Sequence, residues 1–229
     1  MPRFFNKKRK YKSRRPRKKK SSTLAKTNRS KINKLISADK TFLDSQYSES
    51  ITNTGSFINV GLTSIATGTG EGEKQGDKIV VKSLQMRLRF SVLNSSLVDS
   101  DAFNNIRVIL VQFPQPNLTG SPVTATDVLE VSNWNSFYKK RGNIQYKILM
   151  DKKIYLDNQQ LGGTPRWNSN TIHQRYCDVN FRFPKGITVT YVPTQSTVIK
   201  NDLKLFVISD SAIPGHPTMD GYMRLNFLS

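Results

Sequence analysis

Lys82-Ser83-Leu84-Gln85-Met86-Arg87-Leu88-Arg89-Phe90 decides the fold class of this chain. Leu84, Met86, Leu88 and Phe90 recur at every second position, with Gln85, Arg87 and Arg89 between them. Side chains alternate faces along a strand, so this period of two predicts a strand with one face in a core and the other in water. The same pattern spreads outward in both directions. Asn105 to Phe113 is a nearly continuous apolar run stopped by Pro114, which reads as a strand deep in a sheet. Ile144 to Leu156 alternates, as does Cys177 to Phe183, after which Pro184-Lys185-Gly186 is expected to turn the chain. Ile187 to Val192, Leu203 to Ile208 and Tyr222 to Leu228 supply three more, and Phe42 to Ile51 an opening strand. These make eight, the number a jelly roll requires, with Phe57 to Leu62 as an extra short piece. The expected fold class is all-β: an eight-stranded jelly-roll sandwich.

Sustained helical periodicity is absent, and one helical turn is expected at Thr126 to Val131, capped by Thr124 or Thr126 with Asp127 near its start. Asn94 to Asn104, Pro114 to Tyr138 and Asn158 to Gln174 are too long for simple hairpins and are expected to be loops carrying surface function or subunit contacts.

Residues 1–34 are of a different kind. They hold Arg3, Lys7, Lys8, Arg9, Lys10, Lys12, Arg14, Arg15, Arg17, Lys18, Lys19, Lys20, Lys26, Arg29, Lys31 and Lys34, 16 basic residues without one acid. The net charge of +20 over 229 residues therefore belongs mostly to this arm, because residues 35–229 carry 20 basic against 16 acidic groups, only +4. Too few apolar groups are present to offset the entropy of ordering such a backbone, so the arm is expected to be disordered when free. Its charge suits a polyanion, with counterion release as the driving term and no sequence preference. Phe4, Phe5 and Tyr11 are placed to stack on unpaired bases. Lys7 to Lys10 and Arg14 to Lys20 also resemble nuclear-import signals. The two domains expected are thus a polybasic nucleic-acid-binding arm, 1–34, and a jelly-roll domain, 35–229.

Enzymatic and cofactor chemistry finds little support. Gly68 to Gly76 is glycine-rich but lacks a GK[ST] ending and precedes a strand, whereas a phosphate loop precedes a helix. His173 and His216 have no Cys or His at zinc spacing, and no nucleophile motif is present. The single cysteine, Cys177, excludes an internal disulfide and reads as a small buried hydrophobe. Trp134 and Trp167 fall in long loops, as local anchors or, the reading preferred here, as contacts between subunits. No apolar run approaches the roughly 18 residues of a membrane span, and the N-terminus is the reverse of a secretory signal, so a soluble, cytosolically made protein without cofactor or metal is expected.

Several short pieces, in order along most of the chain, carry a family resemblance. They are the basic arm Pro2 to Lys20, then Gly68 to Ile79 leading into Val81 to Leu88, Ile106 to Val111, the Gln115-Pro116-Asn117 turn and Gly221 to Phe227. In these the chain resembles the capsid proteins of circovirus-like, Rep-encoding circular single-stranded DNA viruses, and the related small shells of satellite necrosis viruses. It departs at Gln75 and Gly76, where such proteins commonly carry Arg and Ile. The resemblance implies one jelly roll per subunit, a T=1 icosahedral shell of about sixty copies, an inward-facing arm and a DNA genome replicated in a host nucleus. It also implies a virion location, passage through host cytoplasm and nucleus, and host import and cell-surface receptors as partners. The alternative is a cellular nucleic-acid-binding protein of ribosomal or chromatin type, which would place basic and aromatic residues on an exposed sheet face as well. A lectin or enzyme with a basic tail is disfavoured by the missing ligand patterns.

Overall fold

A computed structural model describes residues 40–53, 56–58, 62–91, 103–116, 123–140, 145–157, 174–211 and 217–229. They form nine strands: β1 Lys40–Ser50, β2 Ser56–Ile58, β3 Lys78–Ser91, β4 Phe103–Phe113, β5 Lys147–Asp157, β6 Gln174–Tyr191, β7 Val198–Lys200, β8 Asp202–Ser209 and β9 Thr218–Leu228. Sheet A has the order β1-β9-β3-β6-β7 and sheet B the order β2-β8-β4-β5. With the short β7 set aside, the first strand pairs with the last, the second with the seventh, the third with the sixth and the fourth with the fifth, all antiparallel. That nesting is one long antiparallel ribbon. Rolling it up adds the pairings β3–β9 and β4–β8, which close the two sheets of a jelly roll.

Two expectations change here. Pro184-Lys185-Gly186 does not end a strand: β6 runs through it, with Val81 opposite Ile187 and Ser83 opposite Arg182. Phe183 to Gly186 therefore bulge out against Lys82 alone, where Pro184 needs no ladder donor and Gly186 takes a φ of 75°. The eighth strand is instead β2, which overlaps the piece read from sequence as an extra, Phe57 to Leu62.

Between the sheets lies the main core, with Leu84, Met86, Leu88 and Phe90 of β3 facing Ile106, Val108 and Leu110 of β4. A second core covers the other side of sheet B, where Ile109, Val111, Phe113, Phe206 and Ile208 meet Val123, Ala125, Val128 and Leu129. Those five sheet residues would lose roughly 8–15 kcal/mol if left in water, as much as the net stability of a domain, so the overlying segment is a structural requirement. This explains the unbroken apolar reading of β4: both of its faces are buried. The helical turn expected at Thr126 to Val131 is shorter and earlier, a 3₁₀ turn at Ala125–Asp127 where the Thr124 N–H donates to the Asp127 carboxylate at 2.6 Å, and Leu129 instead bridges Tyr138.

Candidate nucleic-acid interface

The face of sheet A opposite the core is assembled from the polar positions of four strands. β1 brings Asp44, Gln46 and Ser48; β9 brings Arg224, Tyr222 and Asp220; β3 brings Gln85, Arg87 and Arg89; β6 brings Arg182, Asn180, Asp178 and Tyr176. Register decides the neighbours. Tyr222 lies opposite Gln46 on one side and Arg87 on the other, and Arg89 lies between Asp220 and Tyr176. The two tyrosines are 64% and 70% exposed, an unusual disposition for large rings on a regular sheet. Gly221 sets this register closely, since a Cβ there would come within 2.6 Å of Leu88 Cδ2.

Part of the charge is spent within the face. Arg224 donates to both carboxylate oxygens of Asp44 at 2.7 and 2.6 Å and lies 4.7 Å from the Phe42 ring centroid. Arg89 donates to Asp220 at 2.6 Å, and Ser48 donates to the same side chain at 2.7 Å. These hydrogen bonds hold the Asp44 and Asp220 carboxyls below their usual range, in each case with the arginine as the first cause. Arg87 and Arg182 have no partner among the described residues. Between Tyr222 and Arg224 the sheet dips into an open depression of about 590 Å³, walled by Asp44, Gln46, Gln85 and Arg87.

The opposite layer carries a rigid feature of its own. Leu129 and Tyr138 form an antiparallel bridge, closing a short loop over sheet B. Arg107, 5% exposed, donates to Asp151 at 3.0 and 2.7 Å and to the Ser136 and Trp134 carbonyls at 2.6 and 3.3 Å, and lies 4.9 Å from the Tyr138 ring. Burial pushes the Asp151 carboxyl up, but hydrogen bonds from Arg107 and Tyr138 outweigh it and the net shift is down. Burial, then the Asp151 bond, pushes Tyr138 up to about 12.

All the sequence-predicted nucleic-acid and import residues, Arg3 to Lys34, lie outside the described residues, as do His173, His216 and Trp167. The glycine-rich stretch is turned against phosphate binding. Its Gly70 N–H already donates to Glu73 at 2.6 Å, and Lys74 points inward to Thr67 Oγ1 at 2.7 Å and the Gly76 carbonyl at 3.1 Å, 4.5 Å from the Tyr191 ring. Cys177 is buried, which pushes its thiol up. Trp134, read from sequence as a subunit contact in preference to an anchor, is a local anchor, packed on the second core with Lys153 Nζ 5.1 Å from its ring. Missed from sequence were Tyr176 and Tyr222 as surface rings. The signal was present in the alternation, which put Arg87, Arg89 and Arg182 on the water side, but their convergence depends on pairing between distant segments.

No protein-family model and no curated protein matches the chain. Two similar solved structures are a chain titled Desmodium yellow mottle tymovirus, at 11% identity and a TM-score of 0.30 over 82% of this chain and 87% of that one, and the BFDV capsid protein in its 60-mer, at 9% identity and 0.33 over 82% and 90%. The jelly roll of this chain stands on its own strand order and register.

Proposed function

We propose that this protein is a viral capsid subunit that self-assembles into a closed T=1 shell of about sixty copies and packages a single-stranded genome through its cationic arm. The observation that carries the reading is the joining of an eight-strand jelly roll to an acid-free N-terminal segment with 16 basic residues. Each half has a physical role: a two-layer sandwich is a rigid tile, and sixteen positive charges per tile neutralise a condensed polyanion. The sequence resemblance to circovirus-like capsid proteins favours DNA, a nuclear stage served by Lys7 to Lys10 and Arg14 to Lys20, and a virion as the final location.

A second reading, a cellular nucleic-acid-binding protein, predicts basic and aromatic residues on an exposed sheet face, and sheet A exposes both. Assembly separates the two. Purified full-length protein, mixed with single-stranded DNA over a range of salt and pH and viewed by negative-stain microscopy, is expected to form uniform closed particles. A monomer under every condition overturns the capsid reading.

A further inference from the structure

We propose that the depression on sheet A is a nucleotide-binding subsite for single-stranded nucleic acid, with Tyr222 stacking on a base, Gln46 and Gln85 meeting base edges and Arg87 meeting a phosphate. The proposal deepens the packaging reading and rests on it for the identity of the polymer. A volume of about 590 Å³ accommodates one nucleotide, within the usual span of small-ligand sites. One wall is an aromatic ring that is 64% exposed, and a ring left in water on a regular sheet is a ready stacking surface for any base. Gln46 and Gln85, on either side, have amides without partners among the described residues, and each amide offers both a donor and an acceptor.

Charge selects the polymer. Asp44, the acid in the wall, is held by two hydrogen bonds from Arg224, which leaves Arg87 beside the ring, opposite Asp178 in register but without a side-chain hydrogen bond to it or to any other described residue. From there the register leads across Arg89 to Tyr176, rooted about 12 Å from Tyr222 by strand spacing and rise. Rings flanking arginines along one path are how a sheet holds an unpaired strand, by stacking with a cationic track. The arm binds by charge and weakens steeply with salt; stacking does not, so the two contributions separate experimentally.

The test uses the full chain and a fluorescent homopolymeric oligodeoxynucleotide, titrated at rising salt. Tyr222→Ala is expected to weaken binding about tenfold at high salt with an unchanged salt slope, and Tyr222→Phe to restore it. Arg87→Gln should shallow the slope by about 0.7. Ultraviolet crosslinking should give a nucleotide adduct on Tyr222. Tyr222→Ala binding like the parent at high salt overturns the proposal, as does protection of Tyr222 from iodination by a sulfated glycan but not by the oligonucleotide. Unfolding midpoints of each variant exclude a loss of fold. Particle formation is scored separately: particles with Tyr222-independent binding sink only the subsite, whereas Tyr222-dependent binding without particles sinks the capsid reading and leaves the subsite standing.

Discussion

Arg107 sits almost wholly out of water on the covered side of sheet B, and every polar atom of its guanidinium has a partner. What these bonds hold in place is the loop closed by Leu129 and Tyr138, from which Phe137 stands 84% exposed and Val131 59% exposed. Removing the arginine leaves Asp151 with the Tyr138 hydroxyl alone and orphans two carbonyls. Arg107→Ala is expected to cost about 2–3 kcal/mol in urea unfolding, below the loss for a fully buried pair because the Asp151 side chain remains 29% exposed. The pH dependence follows from the lowered carboxyl. A depressed folded-state pKa gives stability that is present above the ordinary carboxylate range, near pH 4, and is lost as pH falls through the lower folded value. Amide-exchange protection factors in residues 129–138 should therefore fall below about pH 4, and Asp151→Asn should abolish that acid step. Tyr138, raised to about 12, works in the opposite sense: its contribution is complete below its usual pKa of about 10 and fades as pH rises through the folded value.

Among the elements, β6 shows why punctuation in a sequence can mislead. Pro184-Lys185-Gly186 has the composition of a turn, yet pairing with β3 on both sides carries the strand straight past it. Gly186 is indispensable to the bulge, with a φ of 75° and a prospective Cβ within 2.4 Å of Val80 Cγ1. Gly186→Ala should destabilise the domain by about 1–3 kcal/mol, measured as a lowered unfolding midpoint, while an alanine at Gly76, where nothing lies within 4 Å of a prospective Cβ, should do far less. β2 is the converse case. Three residues long, it overlaps a piece, Phe57 to Leu62, that the sequence offers only as an extra, and only its pairing with β8 makes it a member of sheet B.

Over the whole molecule the charge divides into two populations with different physics. The arm has 16 basic residues and no acid, whereas residues 35–229 balance 20 basic against 16 acidic groups. If about half the arm charges meet phosphates on one strand, the log-log salt slope for binding is about −5 to −6. Deleting residues 2–34 should flatten it toward the small slope of sheet A, measurable by fluorescence anisotropy, and single arm substitutions should give small, graded losses. An abrupt loss from one of them would indicate a specific contact in place of summed charge. In the proposed shell of about sixty copies the arms need not bind tightly one by one, since all would act on one polymer.

Much of this was legible in the sequence. Alternation in Lys82 to Phe90 and in Cys177 to Phe183 fixes which residues face water, because a strand has a period of two whatever it pairs with. The long apolar run of β4 announces burial on both faces. Register was not legible. That Arg87 stands beside Tyr222, that Lys74 turns inward, and that residues 123–129 cover Ile109, Val111 and Phe113 all depend on contacts between segments far apart in the chain. Local pattern determines which face a residue takes; only the closing of the ribbon, which buries both cores at once, decides which residues share that face.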